Sequence, residues 1–352
     1  MELLDRKTYY RALQSHDARF DGRVFVGVTS TGIYCRPICP ARTPKFENCR
    51  FFASAAAAQE AGFRPCLRCR PEIAPDLAFW RGTANTVSRA LALIADGALD
   101  DDEAGVEMLA DRLGVGGRQL RRLFQRHLGA SPVAVAQTRR VLFAKQLIHD
   151  TRLPMAQVAL ASGFGSVRRF NETFRSLFGR PPSALRRKTG AGTSSHDGVT
   201  LRLAYRPPYD WPGMLAALTA RAASGMEWID DDIWHRRIEL DGQHGTVAVA
   251  HLPERHSVMV TIRFPSVQGL PAVVARVRRV FDLGADIATI GSHLARDPRL
   301  APLIARRPGL RAPGDWEREG PVLPAVDDDT SPSAWRPWNA YAVQHLRMAT
   351  HG

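Results

Sequence analysis

Apolar residues change their spacing three times along the chain, and each change marks a different kind of element. Up to about residue 80 the apolar runs are short and cut by turn formers: Asp21-Gly22, Thr31-Gly32, Arg36-Pro37, Arg64-Pro65 and Arg70-Pro71. Within this part Arg23–Val28 predicts a strand, and Ser54–Ala61 a short helix opened by a serine cap. From Thr83 to Lys188 the apolar positions recur every three or four residues, with breaks at Gly114, Gly129, Gly163 and Gly179, which predicts a run of helices. The stretch 191–198, rich in Gly, Ser and Thr, is a linker by composition. Beyond it the pattern is mixed. Strands are expected at Thr200–Tyr205, Thr246–His251 and Ser257–Phe264, and helices at Trp211–Ser224 and Pro271–Leu283. From Arg311 the chain is rich in Pro, Asp and Ser, then ends in a short helix containing Trp and Tyr.

Charge adds a partner to this outline. With 352 residues, 45% of them hydrophobic, the chain is long enough for two or three folded domains. Its net charge of +13 points first to a polyanion such as nucleic acid, with ribosome-like or membrane-surface binding as the other use of such a charge. Residues 101–188 hold 16 Lys and Arg against 7 Asp and Glu, so much of the excess lies on the helical part. No stretch approaches the roughly 20 apolar residues of a membrane span, and the first residues lack the apolar core of a signal peptide. The expected compartment is the cytoplasm, where thiols stay reduced and clustered cysteines serve metals or chemistry.

All five cysteines fall between positions 35 and 69. Cys35 and Cys39, then Cys66 and Cys69, form two ligand pairs, each able to supply half of a tetrahedral four-thiolate site for one zinc ion. The metal would relieve repulsion among four thiolates and add folding free energy to a small domain. Spacing does not separate a structural staple, the commoner use of such sites, from a reactive centre. Cys49 stands apart in a polar stretch and reads as a spare thiol.

The segment Thr31-Gly-Ile-Tyr-Cys35-Arg-Pro-Ile-Cys39-Pro-Ala-Arg42, followed by Phe51-Phe52, Gly62-Phe-Arg64-Pro-Cys66 and Arg68-Cys69, closely resembles the N-terminal domain of the Ada family over about 70 residues. The resemblance implies repair of methylphosphotriesters in DNA, with Cys35 as methyl acceptor and zinc ligand and with Cys39, Cys66 and Cys69 as the other ligands. It also puts DNA-backbone contacts on Thr31, Arg42 and Arg64. Where the family often has Arg after the second ligand this chain has Pro40, a departure from the pattern. The chemistry is consistent, because a zinc-bound thiolate stays nucleophilic at neutral pH. Four thiolates around Zn2+ carry a formal charge of −2, and turning one into a thioether leaves −1, so repulsion from DNA phosphates falls. Transfer would be irreversible and stoichiometric.

Val106–Phe124 reads as helix, glycine turn, helix, and Met155–Phe174 repeats the plan with its turn glycine 49 positions later. In the second helix of each unit Leu120, Leu123 and Phe124, or Val167, Phe170 and Phe174, fall on one face; Arg118, Gln119, Arg122, Ser166, Arg168 and Arg169 are left to point outward. A lone arginine-bearing helix is ordinarily just solvated. Two matched units instead, with Ala161-Ser-Gly-Phe-Gly-Ser166 and Phe178-Gly-Arg-Pro-Pro-Ser183, resemble the AraC-family DNA-binding domain over about 100 residues. That implies recognition helices in successive major grooves of double-stranded promoter DNA, transcription activation, and RNA polymerase as a further partner.

Leu203–Trp211, Phe281-Asp-Leu283 and Arg307–Gly314 resemble the N-terminal domain of the AlkA family of methylpurine DNA glycosylases, and Trp335–Tyr341 resembles that family's C-terminal end. Between Gly314 and Trp335 only 20 residues stand where the family carries a helix-hairpin-helix catalytic domain. Asp327, Asp328 and Asp329 there read as solvated charge, so base excision, which needs a pocket for a flipped base, is not expected. Nor is there a Pro-Cys-His-Arg acceptor motif.

The expected architecture is multidomain α+β. A small zinc-bound α/β domain spans residues 1–80 and an all-α AraC-type double helix-turn-helix domain 81–190; after the linker 191–198 comes an AlkA-N-like α+β domain, 199–314, and a truncated remnant with a C-terminal helix, 315–352. The expected function is methyl transfer from damaged DNA to Cys35, coupled to activation of an alkylation response in the bacterial nucleoid. The alternative is a plain AraC-type activator with a structural zinc site, and a lesser one is 3-methyladenine glycosylase activity.

Overall fold

A computed structural model describes residues 6–74, 85–95, 97–100, 105–186, 198–222, 225–317 and 332–350. The expected linker, apart from Gly198, and the three aspartates at 327–329 lie outside these residues. The chain forms two compact units, residues 1–201 with 264–272, and residues 202–263 with 273–352. Among the described residues no helix is long and apolar enough to cross a membrane.

The first unit opens with α1 (Arg6–Gln14), followed by β1 (Phe25–Val28), β2 (Ile33–Cys35), β3 (Cys49–Phe52), α2 (Ala55–Glu60) and β4 (Arg64–Pro65). The strands make one sheet in the order β3-β1-β2-β4; β1 runs antiparallel to both of its neighbours, and β2 pairs parallel with β4. Of these elements β1 and α2 were expected. Ser54 caps α2 as predicted, its hydroxyl accepting from the Ala57 N–H at 3.0 Å. Gly27 has to be glycine, since a Cβ there would stand 2.7 Å from the Phe52 ring and 3.0 Å from Phe63. Leu13, Val26 and Cys49 form a small core under α1, which makes the fifth cysteine a packed apolar residue, its Sγ 3.3 Å from the Lys45 carbonyl.

Among the described residues six α-helices complete this unit: α3 (Asn85–Ala95), α4 (Val106–Arg112), α5 (Gly117–Leu128), α6 (Pro132–Asp150), α7 (Met155–Ala161) and α8 (Val167–Phe178). The expected glycine breaks are the turns. Gly129 and Gly179 end α5 and α8 in the left-handed conformation (φ +67° and +66°), open to glycine at little cost. Leu120, Phe124 and Leu128 of α5 pack with Val87, Ala90 and Ile94 of α3 and Leu109 and Ala110 of α4. Phe170 and Phe174 of α8 are fully buried, whereas Val167, expected on the same face, is 44% exposed because it begins the helix, ahead of the face that packs.

The second unit holds a five-stranded sheet, ordered β5-β9-β8-β7-β6, built from β5 (Val199–Ala204), β6 (Glu227–Asp230), β7 (Ile233–Leu240), β8 (Gln243–Leu252) and β9 (Ser257–Arg263). Around it lie α9 (Trp211–Thr219), α10 (Leu270–Val280), α11 (Ile287–Leu294), α12 (Ala301–Arg306) and α13 (Asn339–Thr350). Trp211 stacks on Phe281 (centroids 5.4 Å), and the buried Arg311 guanidinium lies 4.5 Å over Tyr209. The strands expected at β5, β8 and β9, and the helices at α9 and α10, are present, and the chain is a mixed helix and sheet protein as expected.

Candidate zinc centre and nucleic-acid interface

β2 delivers Cys35 and the turn after it delivers Cys39, while Cys66 and Cys69 follow the edge strand β4, so pairing of β2 with β4 brings the two halves together. The four sulfurs all lie within 4.8 Å of one another. Tetrahedral zinc–thiolate bonds of about 2.3 Å would place sulfurs about 3.8 Å apart, so the cluster fits one zinc ion. Hydrogen bonding with Cys35 brings the Cys39 thiol down to about 7 and holds Cys66 well below the usual range, while hydrogen bonding with Cys39 pushes Cys35 up.

The sulfurs are not equivalent. Cys39, Cys66 and Cys69 are buried, and Cys35 is partly exposed. Backbone N–H groups donate to two of them, Arg36 to Cys69 at 3.4 Å and Arg68 to Cys66 at 3.3 Å. Among the described residues no backbone N–H donates to Cys35. A hydrogen bond draws charge from a thiolate and burial blocks approach, so Cys35, partly exposed and without a backbone donor, keeps the most available electron pair. Arg36, which sequence reasoning passed over, locks the turn between Cys35 and Cys39. Its guanidinium is buried, donating to Asp21 through Nε at 2.8 Å and to the Cys69 carbonyl at 3.1 Å.

Thr31 is exposed in the β1–β2 turn, and the Arg64 N–H donates to the Gly32 carbonyl at 2.8 Å, so these two candidates are neighbours. Arg42 is exposed three residues beyond Cys39, and Arg68, between the last two ligands, is exposed as well. On α5, Arg118, Gln119 and Arg122 are all exposed. On α8, Arg168 is exposed and paired with Glu172 at 2.9 Å. Ser166 is exposed too, but its hydroxyl caps α8 by accepting from the Arg169 N–H at 3.1 Å. Arg169 lines a groove of about 580 Å³ between α2, α6 and α8.

The zinc module does not stand apart from the helices. The Ser54 hydroxyl donates to the Leu128 carbonyl at the end of α5 (2.7 Å), and Ala56 and Ala57 pack on Ala130. A buried charge cluster lies beyond the last ligand. Glu72 accepts from Arg70 Nε at 2.9 Å and from the Lys145 ammonium of α6, and Arg70 pairs with Asp150 at 2.8 Å. The Glu72 and Lys145 side chains are 0% exposed. Burial by itself would raise the Glu72 carboxyl, but Lys145 and Arg70 outweigh it and hold the group below its ordinary value, whereas burial draws Lys145 down. No local sequence signal marks this cluster, because its partners stand 73 positions apart.

Residues 8–72 match the metal binding domain of Ada, residues 109–188 a helix-turn-helix domain, and residues 200–317 the AlkA N-terminal domain. A Mycobacterium tuberculosis protein named "Probable bifunctional transcriptional activator/DNA repair enzyme AlkA" is 42% identical over 313 residues, which are 88% of this chain. The chain spans 62% of that relative's length. "Bifunctional transcriptional activator/DNA repair enzyme AdaA" of Bacillus subtilis is 28% identical over 50% of this chain and 81% of its own. DNA-3-methyladenine glycosylase 2 of Escherichia coli is 32% identical over 32% of this chain and 38% of its own.

Proposed function

From a chain that carries an Ada-type zinc-binding domain, an AraC-type helix-turn-helix domain and an AlkA N-terminal domain in that order, we propose a methyl-accepting DNA repair protein that is also a transcription activator. The observation that carries this reading is the asymmetry of the four sulfurs: among the described residues, Cys35 alone is both accessible and without a backbone donor.

A bound zinc ion keeps these sulfurs deprotonated at neutral pH. The Cys35 sulfur attacks the methyl carbon of a methylphosphotriester. A sulfur–carbon bond forms, the carbon–oxygen bond breaks, and its electron pair leaves with the phosphodiester. Cys35 ends as a neutral thioether, so each molecule acts once. Arg36 holds the turn so that Cys35 faces outward, and Thr31, Arg42 and Arg64 hold the DNA backbone beside it. With the centre less negative, repulsion from phosphates weakens and α5 and α8 bind promoter DNA more tightly, with RNA polymerase as the partner in activation and the cytoplasm as the compartment.

The AlkA-like unit is assigned no base excision, because the 20 residues between Gly314 and Trp335 are too few for a pocket and a hairpin clamp. Incubating reduced, zinc-replete protein with methylphosphotriester DNA is expected to add one methyl, mapped by mass to Cys35. An unmodified Cys35 would leave the plain activator with a structural zinc site.

A further inference from the structure

Two kinds of contact join the zinc module to the helices, and they define its seat differently. Ala56 and Ala57 pack on Ala130 through small side chains, and α2 is tied at its ends by single hydrogen bonds, from the Ser54 hydroxyl to the Leu128 carbonyl at 2.7 Å and from the Ser131 hydroxyl to Glu60 at 3.2 Å. The buried charge cluster tolerates less movement than these contacts do. Among the described residues the Lys145 ammonium pairs with Glu72, and Glu72 also accepts from Arg70; both the Lys145 and Glu72 side chains are 0% exposed, so a small displacement leaves a charge uncompensated. Arg70, directly after the ligand Cys69, is held at φ +54°, a left-handed backbone that a non-glycine residue keeps only when its surroundings demand it. Its side chain spans Glu72 and Asp150, the last residue of α6. One half of the metal site is therefore bolted to the helix that separates the two helix-turn-helix units.

We propose that the Arg70–Glu72–Lys145–Asp150 cluster is a register-setting joint, which fixes the Cys66–Cys69 half of the zinc centre on α6 so that the zinc module and the recognition helices engage duplex DNA at one spacing only. The four residues are positioning residues: none touches DNA or the reacting sulfur. The proposal rests on the DNA-binding reading above, and deepens it by naming a bipartite duplex of fixed spacing as the ligand. One inserted base pair moves the two DNA segments apart by about 3.4 Å and turns them by about a tenth of a helical turn, more than a buried ion pair can follow.

The test uses the full, zinc-saturated chain. A preferred duplex is selected from a random library, and footprinting locates the protection due to the zinc module and that due to α5 and α8. One or two base pairs are then inserted between the protected segments. The unsubstituted protein is expected to lose about tenfold or more in affinity. The Glu72→Gln/Lys145→Met protein, with its charges removed as a pair, is expected to keep its zinc and its affinity for the original duplex, but to lose less than about threefold on insertion. Asp150→Asn, which removes only the outer pair, covers the case of a double variant that fails to fold and should fall between. An equal insertion penalty in all three proteins, or an unsubstituted protein indifferent to insertion, overturns the joint. No footprint from the zinc module overturns the DNA-binding reading of that module and the joint with it, and is told apart from the first result by the footprint alone.

Discussion

Removing one charge of the Glu72–Lys145 pair strands the other. In Glu72→Gln the Lys145 ammonium, whose side chain is 0% exposed, loses the carboxylate it pairs with among the described residues. Leaving such a charge unpaired costs about 3–5 kcal/mol, unless the amine gives up its proton. Shedding a proton from a group of ordinary pKa 10.5 at about pH 7.5 costs about 4 kcal/mol at 1.36 kcal/mol per unit, so about 4 kcal/mol is the ceiling. In that case the unfolded chain binds one proton more than the folded one, and stability of this variant should rise by about 1.4 kcal/mol per pH unit between about pH 7 and 9. Lys145→Met is milder. Glu72 keeps Arg70 at 2.9 Å and loses one charged hydrogen bond, about 1.5–3 kcal/mol. The double variant has no unpaired charge and should lie within about 1 kcal/mol of the unsubstituted protein. Denaturant-dependent amide exchange on peptides of α6, with zinc saturating, measures all four proteins. Single losses that add up to the double loss, or a Glu72→Gln protein whose stability is flat with pH, would overturn this account of the pair.

Three further outcomes are expected. Arg168→Ala should weaken promoter binding by about tenfold or more, measured by titration, and leave methyl uptake by Cys35 unchanged; its helix loses only the exposed pair to Glu172. Burial lowers His345 on α13 to about 4 from an ordinary 6.5, so the second unit's tryptophan-detected stability should be whole above about pH 6.5 and fall as pH drops towards 4, a fall that His345→Gln abolishes. Chelating the metal should release the Cys66–Cys69 half-site from Cys35 and Cys39, raising amide exchange in β2 and β4 before β7 and β8, and exchange that rose equally in both sheets would count against a local role for zinc.

The metal site was legible because its signal is local: short cysteine pairs and the turns around them stand in consecutive sequence. The helix-turn-helix units were legible for the same reason, through glycines that end helices and phenylalanines one turn apart. What escaped was written across distance. Lys145 lies on a helix where residues 144–148 are all buried, so no polar face announced that a lysine would point inward, and its partner comes from another element entirely. β7 was missed because Arg236 sits among its inward residues, paired with Glu227 and stacked 5.0 Å over Trp316, and so breaks the alternation that marks a strand. Cys49 was read as spare because its neighbours are polar; the sheet turns it inward.

The strand β4 is two residues long, and the second is Pro65, which has no N–H to offer a further strand. This end of the sheet is therefore closed by the thiolate cluster more than by its own ladder. Zinc starvation during synthesis would leave β2, with Ile33 and Tyr34, as an open edge available to a neighbouring chain. Newly made chains short of zinc are therefore expected to pair through that edge, and recombinant yield to follow the zinc content of the growth medium.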